Sequence, residues 1–260
     1  MMEEHIPAAA TTPVARTGSG LLVRVIRGIG WASLIAGLLI LGFVAQQLFV
    51  TSWFADRNQT QLEQQAVTYF EEAQAGVEVV PYVPALSSPT TSGGDEPAPP
   101  VTSGPPATIL VEPAPPVHQA FAIIRIPAIL KLEDGWTVVE GVNRSDLKNG
   151  AGHMAHTPLP GQPGNAVISG HRTTYGAPFH DLDTLAHGDV IEVETAIGVS
   201  TYAVRETIIV KPHELWVTEP RDGAWLTLTT CHPKFSSRQR LIVFAELIDG
   251  PNAPAILGSA

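Results

Sequence analysis

Twenty-three consecutive residues, Gly28 to Val50, carry no charged side chain. As a helix they would run about 34 Å, enough to cross a hydrocarbon core of about 30 Å. Gln46 and Gln47 are the only strongly polar side chains in the run, and they fall near its outer end. Trp31 and Trp53 lie near the two ends, where amphipathic rings favour the membrane interface. The apolar region of a secretory signal is shorter, about 7–15 residues. No small-x-small cleavage site stands directly after Val50, so the run reads as an uncleaved anchor. Arg16, Arg24 and Arg27 precede it, and after Arg57 no Lys or Arg occurs until Arg125. Positive charge stays on the cytoplasmic side. The expectation is a single-pass cell-membrane protein with a cytoplasmic N-terminus and the bulk of the chain outside.

Two segments of different character follow. Leu62, Ala66, Tyr69, Phe70 and Ala73 recur at helical spacing, which predicts a helix over Asn58 to Ala75. Pro81 to Pro116 holds eleven prolines in 36 residues, with no basic residue. Such a stretch buries too little apolar surface to offset its ordering entropy, and it is expected to act as an extended spacer. The net charge of −10 argues against a nucleic-acid partner, which needs clustered basic residues.

From Val117 onward the chain changes to short runs suited to strands. They are Ala120–Ile126, Trp136–Glu140, Asn165–Ser169, Val190–Thr195, Ser200–Ile209, Trp225–Thr230 and Leu241–Ile248. Turn signals separate them, among them Pro160-Gly161, Pro163-Gly164, His187-Gly188 and Asp222-Gly223. Seven or eight short strands with little helix predict a β-barrel or sandwich. Short helical turns fit Ser145–Asn149 and Asp181–Leu185, with Asp181 and Asp183 as candidate caps.

The sole cysteine, Cys231, closes the alternating run that starts at Trp225. Alternation puts Cys231 on one face with Thr227 and Thr229, and Leu226 and Leu228 on the other. Arg240 opens the next run nine residues on, so an antiparallel hairpin would set it opposite Cys231. His171 ends a third run after Gly170. A thiol, an imidazole and a guanidinium at strand ends are the parts of a cysteine acyl-transfer site. The thiol attacks as thiolate, the imidazole protonates a leaving amine, and the guanidinium steadies a developing oxyanion. Arg238 competes with Arg240 for the last role. Thr230 is a candidate for positioning substrate through its backbone. His153 and His156 resemble a metal pair, but no Cys or acidic ligand completes a zinc pattern.

The segment Thr227-Leu228-Thr229-Thr230-Cys231, with Arg240-Leu241 behind it, resembles the TLxTC…R signature of sortases. The Gly170-His171-Arg172 step is similar to their catalytic-histidine strand end. The resemblance covers roughly Phe121 to Leu247 and implies a closed eight-stranded sortase-type β-barrel. It implies Cys231 as nucleophile, His171 as acid/base and Arg240 as the substrate and oxyanion clamp. It implies cleavage of a C-terminal LPxTG-type sorting signal between Thr and Gly, then transfer of the acyl group to a cell-wall amine. The segments His171 to Phe179 and Cys231 to Phe235 most resemble class E sortases of high-GC Gram-positive bacteria, a class associated with LAxTG-type signals. That class often carries Tyr after a Gly-His pair, where this chain has Gly152-His153-Met154, so both LAxTG and LPxTG stay open and Met154 joins the candidate substrate contacts.

The expected organisation is a cytoplasmic tail over 1–27, an anchor over 28–50, a juxtamembrane helical stem over 51–80, a Pro-rich disordered stalk over 81–116, the catalytic domain over 117–250 and a tail over 251–260. The expected partners are secreted proteins bearing LAxTG- or LPxTG-type signals, a peptidoglycan-precursor amine, and the bilayer through residues 28–50. No cofactor or metal is expected; some relatives use calcium, but no acidic cluster here demands it. Two rivals predict something else. An L,D-transpeptidase-like cell-wall enzyme would set its cysteine in a His-Gly-Cys context, whereas Cys231 follows Thr-Thr. A stalked, non-enzymatic binding domain would keep its function in a Cys231→Ala variant.

Overall fold

The computed structural model describes residues 19–46, 51–82 and 107–258. The chain forms two compact units, divided between Gln46 and Gln47. The first holds α1, Ser19–Ala45. Its stretch Leu22–Ala45 is long and apolar enough to cross a membrane. Leu, Ile, Val and Phe side chains are exposed all around it, as on a helix meant for an apolar solvent. The expected anchor began at Gly28; the helix starts earlier, and residues 47–50 lie outside the described ones.

In the second unit α2 spans Thr51–Gln74, seven residues earlier than the periodicity alone predicts. Ala66, Phe70 and Ala73 form one buried stripe that packs on Ala120, Ile123, Val139 and Ala196. The Gln59 side chain caps the join: its Nε2 donates to the Asn149 carbonyl at 2.8 Å and its Oε1 accepts from the Thr137 amide at 3.0 Å. The expected stem is therefore docked onto the folded domain.

The end of the expected stalk is also structured. Strand β1, Glu78–Pro81, pairs antiparallel with β2, Thr108–Val111. The Tyr82 amide donates to the Ala107 carbonyl at 2.7 Å, so residues 82 and 107 meet. The described ends of the Pro-rich segment therefore lie side by side on the domain. Residues 83–106 of it lie outside the described ones. β2 is held because its backbone finds partners: Asn252 Oδ1 accepts from the Leu110 amide at 2.7 Å, and Gln162 Nε2 and Asn252 Nδ2 donate to the Leu110 carbonyl. Glu112, 4 % exposed, accepts from the Ala196 amide at 2.9 Å. The domain thus extends to residues 107–116, where it was expected to begin at 117. It also takes in α5, Ala253–Ile256, from the expected tail.

The remaining strands close a barrel. They are β3 Ala120–Arg125, β4 Trp136–Glu140, β5 Ala151–His153, β6 Gly164–Ser169, β7 Val190–Thr195, β8 Gly198–Val210, β9 Ala224–His232 and β10 Gln239–Asp249. Their order is β10-β8-β7-β3-β4-β5-β6-β9, closed through the β9–β10 pair. The eight-stranded closed barrel is the expected fold. Two pairs are parallel, β4 with β5 and β6 with β9. Phe121, Ile124, Ile168, Leu226, Leu228 and Val243 fill the interior. Between strands, α3 covers Leu130–Glu133 and α4 covers Arg144–Asn149, where Asp146 Oδ2 accepts from the Asn143 amide. Short 3-10 turns lie at Leu182–Thr184 and Leu215–Thr218.

Candidate active site

The parallel β6–β9 pairing builds the site. Ser169 stands opposite Thr229, so the chain two residues further along each strand is His171 on one and Cys231 on the other. Both leave the barrel at one rim. The join is fastened twice: the Gly170 amide donates to the Thr229 carbonyl at 3.0 Å, and Thr230 Oγ1 donates to the Gly170 carbonyl at 2.7 Å. Gly170 is needed for packing, because a Cβ there would lie 2.5 Å from the Phe179 ring beneath it. Across the antiparallel β9–β10 pair, Cys231 stands opposite Arg240.

A cleft of about 340 Å³ opens at this rim, lined by His171, Arg172, Thr173, Thr174, Cys231, Phe235, Ser236 and Ser237. His171 Nε2 is buried without a hydrogen-bond partner among the described residues. Burial, and then the Arg144 charge, push the His171 pKa below the ordinary histidine value and favour the neutral ring. The ring leans on Tyr175, with centroids 5.0 Å apart. Tyr175 and Ala177 both hold left-handed backbone, φ 52° and 45°, in the turn that brings the aromatic ring back to His171.

Arg172 points into the protein and is 2 % exposed. Its Nη2 meets Asp183 Oδ1 at 2.7 Å, its Nε donates to the His180 carbonyl at 3.1 Å, and its Nη1 reaches the Cys231 carbonyl at 3.4 Å and His232 Nδ1 at 3.2 Å. Asp183 therefore serves Arg172 and caps nothing. Asp181 pairs with Lys234 at 3.0 Å and likewise makes no cap.

The other expected residues are placed differently. Arg240 is half-buried, and its Nη1 donates to the carbonyls of Ser237 and Gln239 at 3.1 and 3.0 Å. Arg238 is exposed in the turn before β10, so it does not share a strand face with Arg240. The buried Thr230 spends its hydroxyl on Gly170. Met154 follows β5, its amide bonded to the Val167 carbonyl, and does not line the cleft. His153 is held by Glu140 at 2.7 Å and by the Pro158 carbonyl at 3.0 Å. Among the described residues no three His, Cys, Asp or Glu side chains are placed to hold a metal ion. Sequence reasoning assigned no role to Arg172 and read Asp183 only as a helix cap; the only signal was the Arg beside the candidate His.

The chain is similar to proteins already known. A family model described as the sortase domain matches residues 124–248. Sortase SrtE1 of Streptomyces coelicolor is 31 % identical over 147 residues, covering 50 % of this chain and 41 % of the relative. Sortase SrtE2 of the same organism is 32 % identical over 155 residues, covering 50 % and 59 %. The solved structure of sortase E from Streptomyces avermitilis is 35 % identical, with a TM-score of 0.48, covering 56 % of this chain and 97 % of that one. The chain spans about half the length of the curated relatives it matches.

Proposed function

We propose, from the premise that the chain belongs to the sortase family, that it is a membrane-anchored cysteine transpeptidase. It cleaves an LAxTG- or LPxTG-type sorting signal between Thr and Gly and joins the released acyl group to a cell-wall amine. The observation that carries this reading is the shared rim of His171 and Cys231 over one cleft, set by the β6–β9 register.

The chemistry follows from the residue types. Cys231 gives its thiol proton to His171, whose Nε2 has no hydrogen-bond partner among the described residues. The thiolate attacks the Thr carbonyl carbon and forms a C–S bond. The imidazolium returns the proton to the Gly nitrogen as the C–N bond breaks. Arg240, with Nη1 held by two carbonyls, keeps its remaining N–H groups for the oxyanion. A peptidoglycan-precursor amine then attacks the thioacyl carbon and frees the thiol. The chemistry calls for no metal.

The α1 segment serves as the anchor, with Arg16, Arg24 and Arg27 on the cytoplasmic side and the barrel outside. Tethering keeps the enzyme at the membrane face where both substrates arise and raises their effective concentration. The test incubates the full chain in detergent micelles with paired LAxTG and LPxTG peptides and an oligoglycine amine. Cleavage at Thr-Gly with amine capture, absent in Cys231→Ala, supports the reading and ranks the two signals. No product from either peptide, or equal product from the variant, removes it.

A further inference from the structure

We propose that Arg172 is a positioning residue for the reaction, clamping the Cys231–His232 strand end to the His171 strand end so that thiol and imidazole keep one geometry. The proposal rests on the transpeptidase reading above and adds a residue that makes no substrate contact in it.

A buried guanidinium is costly unless its charge is paired and its donors are used. Here both conditions hold. Asp183 neutralises the charge from the 3-10 turn. The remaining contacts are spread over two pieces of chain: the His180 carbonyl on the loop after β6, and the Cys231 carbonyl with His232 Nδ1 at the end of β9. The tie to the first piece is reciprocal, since His180 Nδ1 donates to the Arg172 carbonyl at 2.7 Å. Because guanidinium only donates, His232 Nδ1 must accept, which puts the proton of a neutral His232 on Nε2.

The placement is specific. Thr230 to Gly170 fixes the two strands one residue before the reacting pair, and Arg172 to Cys231 and His232 fixes them at and just beyond it. Between these two fastenings sit His171 and Cys231. Lysine keeps the charge but not the fork that spans four acceptors. Small misplacements of reacting groups cost large factors in rate, so the loss should appear in kcat.

The test uses the full chain in detergent micelles as wild type, Arg172→Lys and Asp183→Asn. Cys231 is the sole cysteine, so thiol titration counts chains with a free thiol, circular dichroism gives their folded fraction, and rates are expressed per titratable thiol of folded protein. One readout is kcat and KM for transfer of a sorting peptide to oligoglycine. The other is the rate of Cys231 alkylation by iodoacetamide across pH, which needs no substrate. Both variants should lose roughly tenfold or more in kcat per thiol, with KM held within about twofold, and both should alter the alkylation profile. Wild-type kcat per thiol and a wild-type profile in folded variants overturn the proposal, as does a loss that vanishes once unfolded protein is discounted. Should Arg172→Lys not fold, Asp183→Asn decides, because the Asp183 side chain is 42 % exposed and the asparagine oxygen still accepts from Arg172 while the guanidinium charge loses its counter-charge. If the wild type yields no Cys231-dependent product, the transpeptidase reading falls by itself. The alkylation profile then decides the role of Arg172.

Discussion

Thr230 Oγ1 donates to the Gly170 carbonyl at 2.7 Å, tying the residue before Cys231 to the residue before His171. Both are buried. Replacing Thr230 with Val keeps the β-branched shape and leaves that carbonyl without its hydroxyl partner. The expected loss is about 1–3 kcal/mol of stability, read as a lower thermal midpoint, together with a several-fold fall in kcat. Thr230→Ser should restore most of both. An unchanged midpoint in Thr230→Val would show that water replaces the hydroxyl.

Glu112 joins β2 to the β7–β8 turn, and burial pushes its pKa up to about 7. A carboxyl raised in the folded state contributes stability below its unfolded value, about 4.3, and that contribution is lost as pH rises toward 7. The thermal midpoint should therefore fall over that interval and level off above it. Glu112→Gln should remove most of the fall, and should be more stable than wild type in mild alkali. A wild-type pH slope in the variant assigns the titration to another group.

How much of this was legible beforehand differs by element. The seven runs stand where expected because each has apolar side chains that a sheet can bury, as Leu226 and Leu228 show on the alternating β9. β5 escaped notice because Ala151-Gly152-His153 has no β-branched residue. Gly152 is there since a Cβ would strike the Gly141 carbonyl. β2 was hidden by the surrounding prolines, and its polar partner Asn252 lies 142 residues from Leu110. The hairpin that faces Cys231 with Arg240 was readable from an eight-residue link, while the inward course of Arg172 was not, since Arg is rarely buried and Asp183 sits eleven positions away.

The docked helix bears on where the domain begins. Phe70 is 8 % exposed against the barrel, and Phe70→Ala should cost about 3 kcal/mol. A chain starting at Val117 should melt lower than one starting at Thr51, because it loses both the Phe70 stripe and the Leu110–Asn252 bonds. Equal midpoints by calorimetry would show that α2 and β2 add nothing to the barrel.

The neutral form of His171 is favoured by burial and by the Arg144 charge. Imidazole protonation should therefore be centred below the ordinary histidine value. Arg144→Gln should move that midpoint upward by a small amount, since burial, the larger cause, is retained. Histidine NMR titration of the full chain reads it directly. A downward movement would contradict the assignment of cause.

Whether Cys231 carries the acyl group is tested most directly by intact-mass spectrometry. The full chain is mixed with a sorting peptide in the absence of acceptor amine, then sampled again after oligoglycine is added. The expected result is a mass gain equal to the peptide up to its Thr, mapped to Cys231, lost on adding oligoglycine and never formed by Cys231→Ala. Peptide cleavage without that adduct, at the same rate in Cys231→Ala, would contradict a thioacyl mechanism at this site.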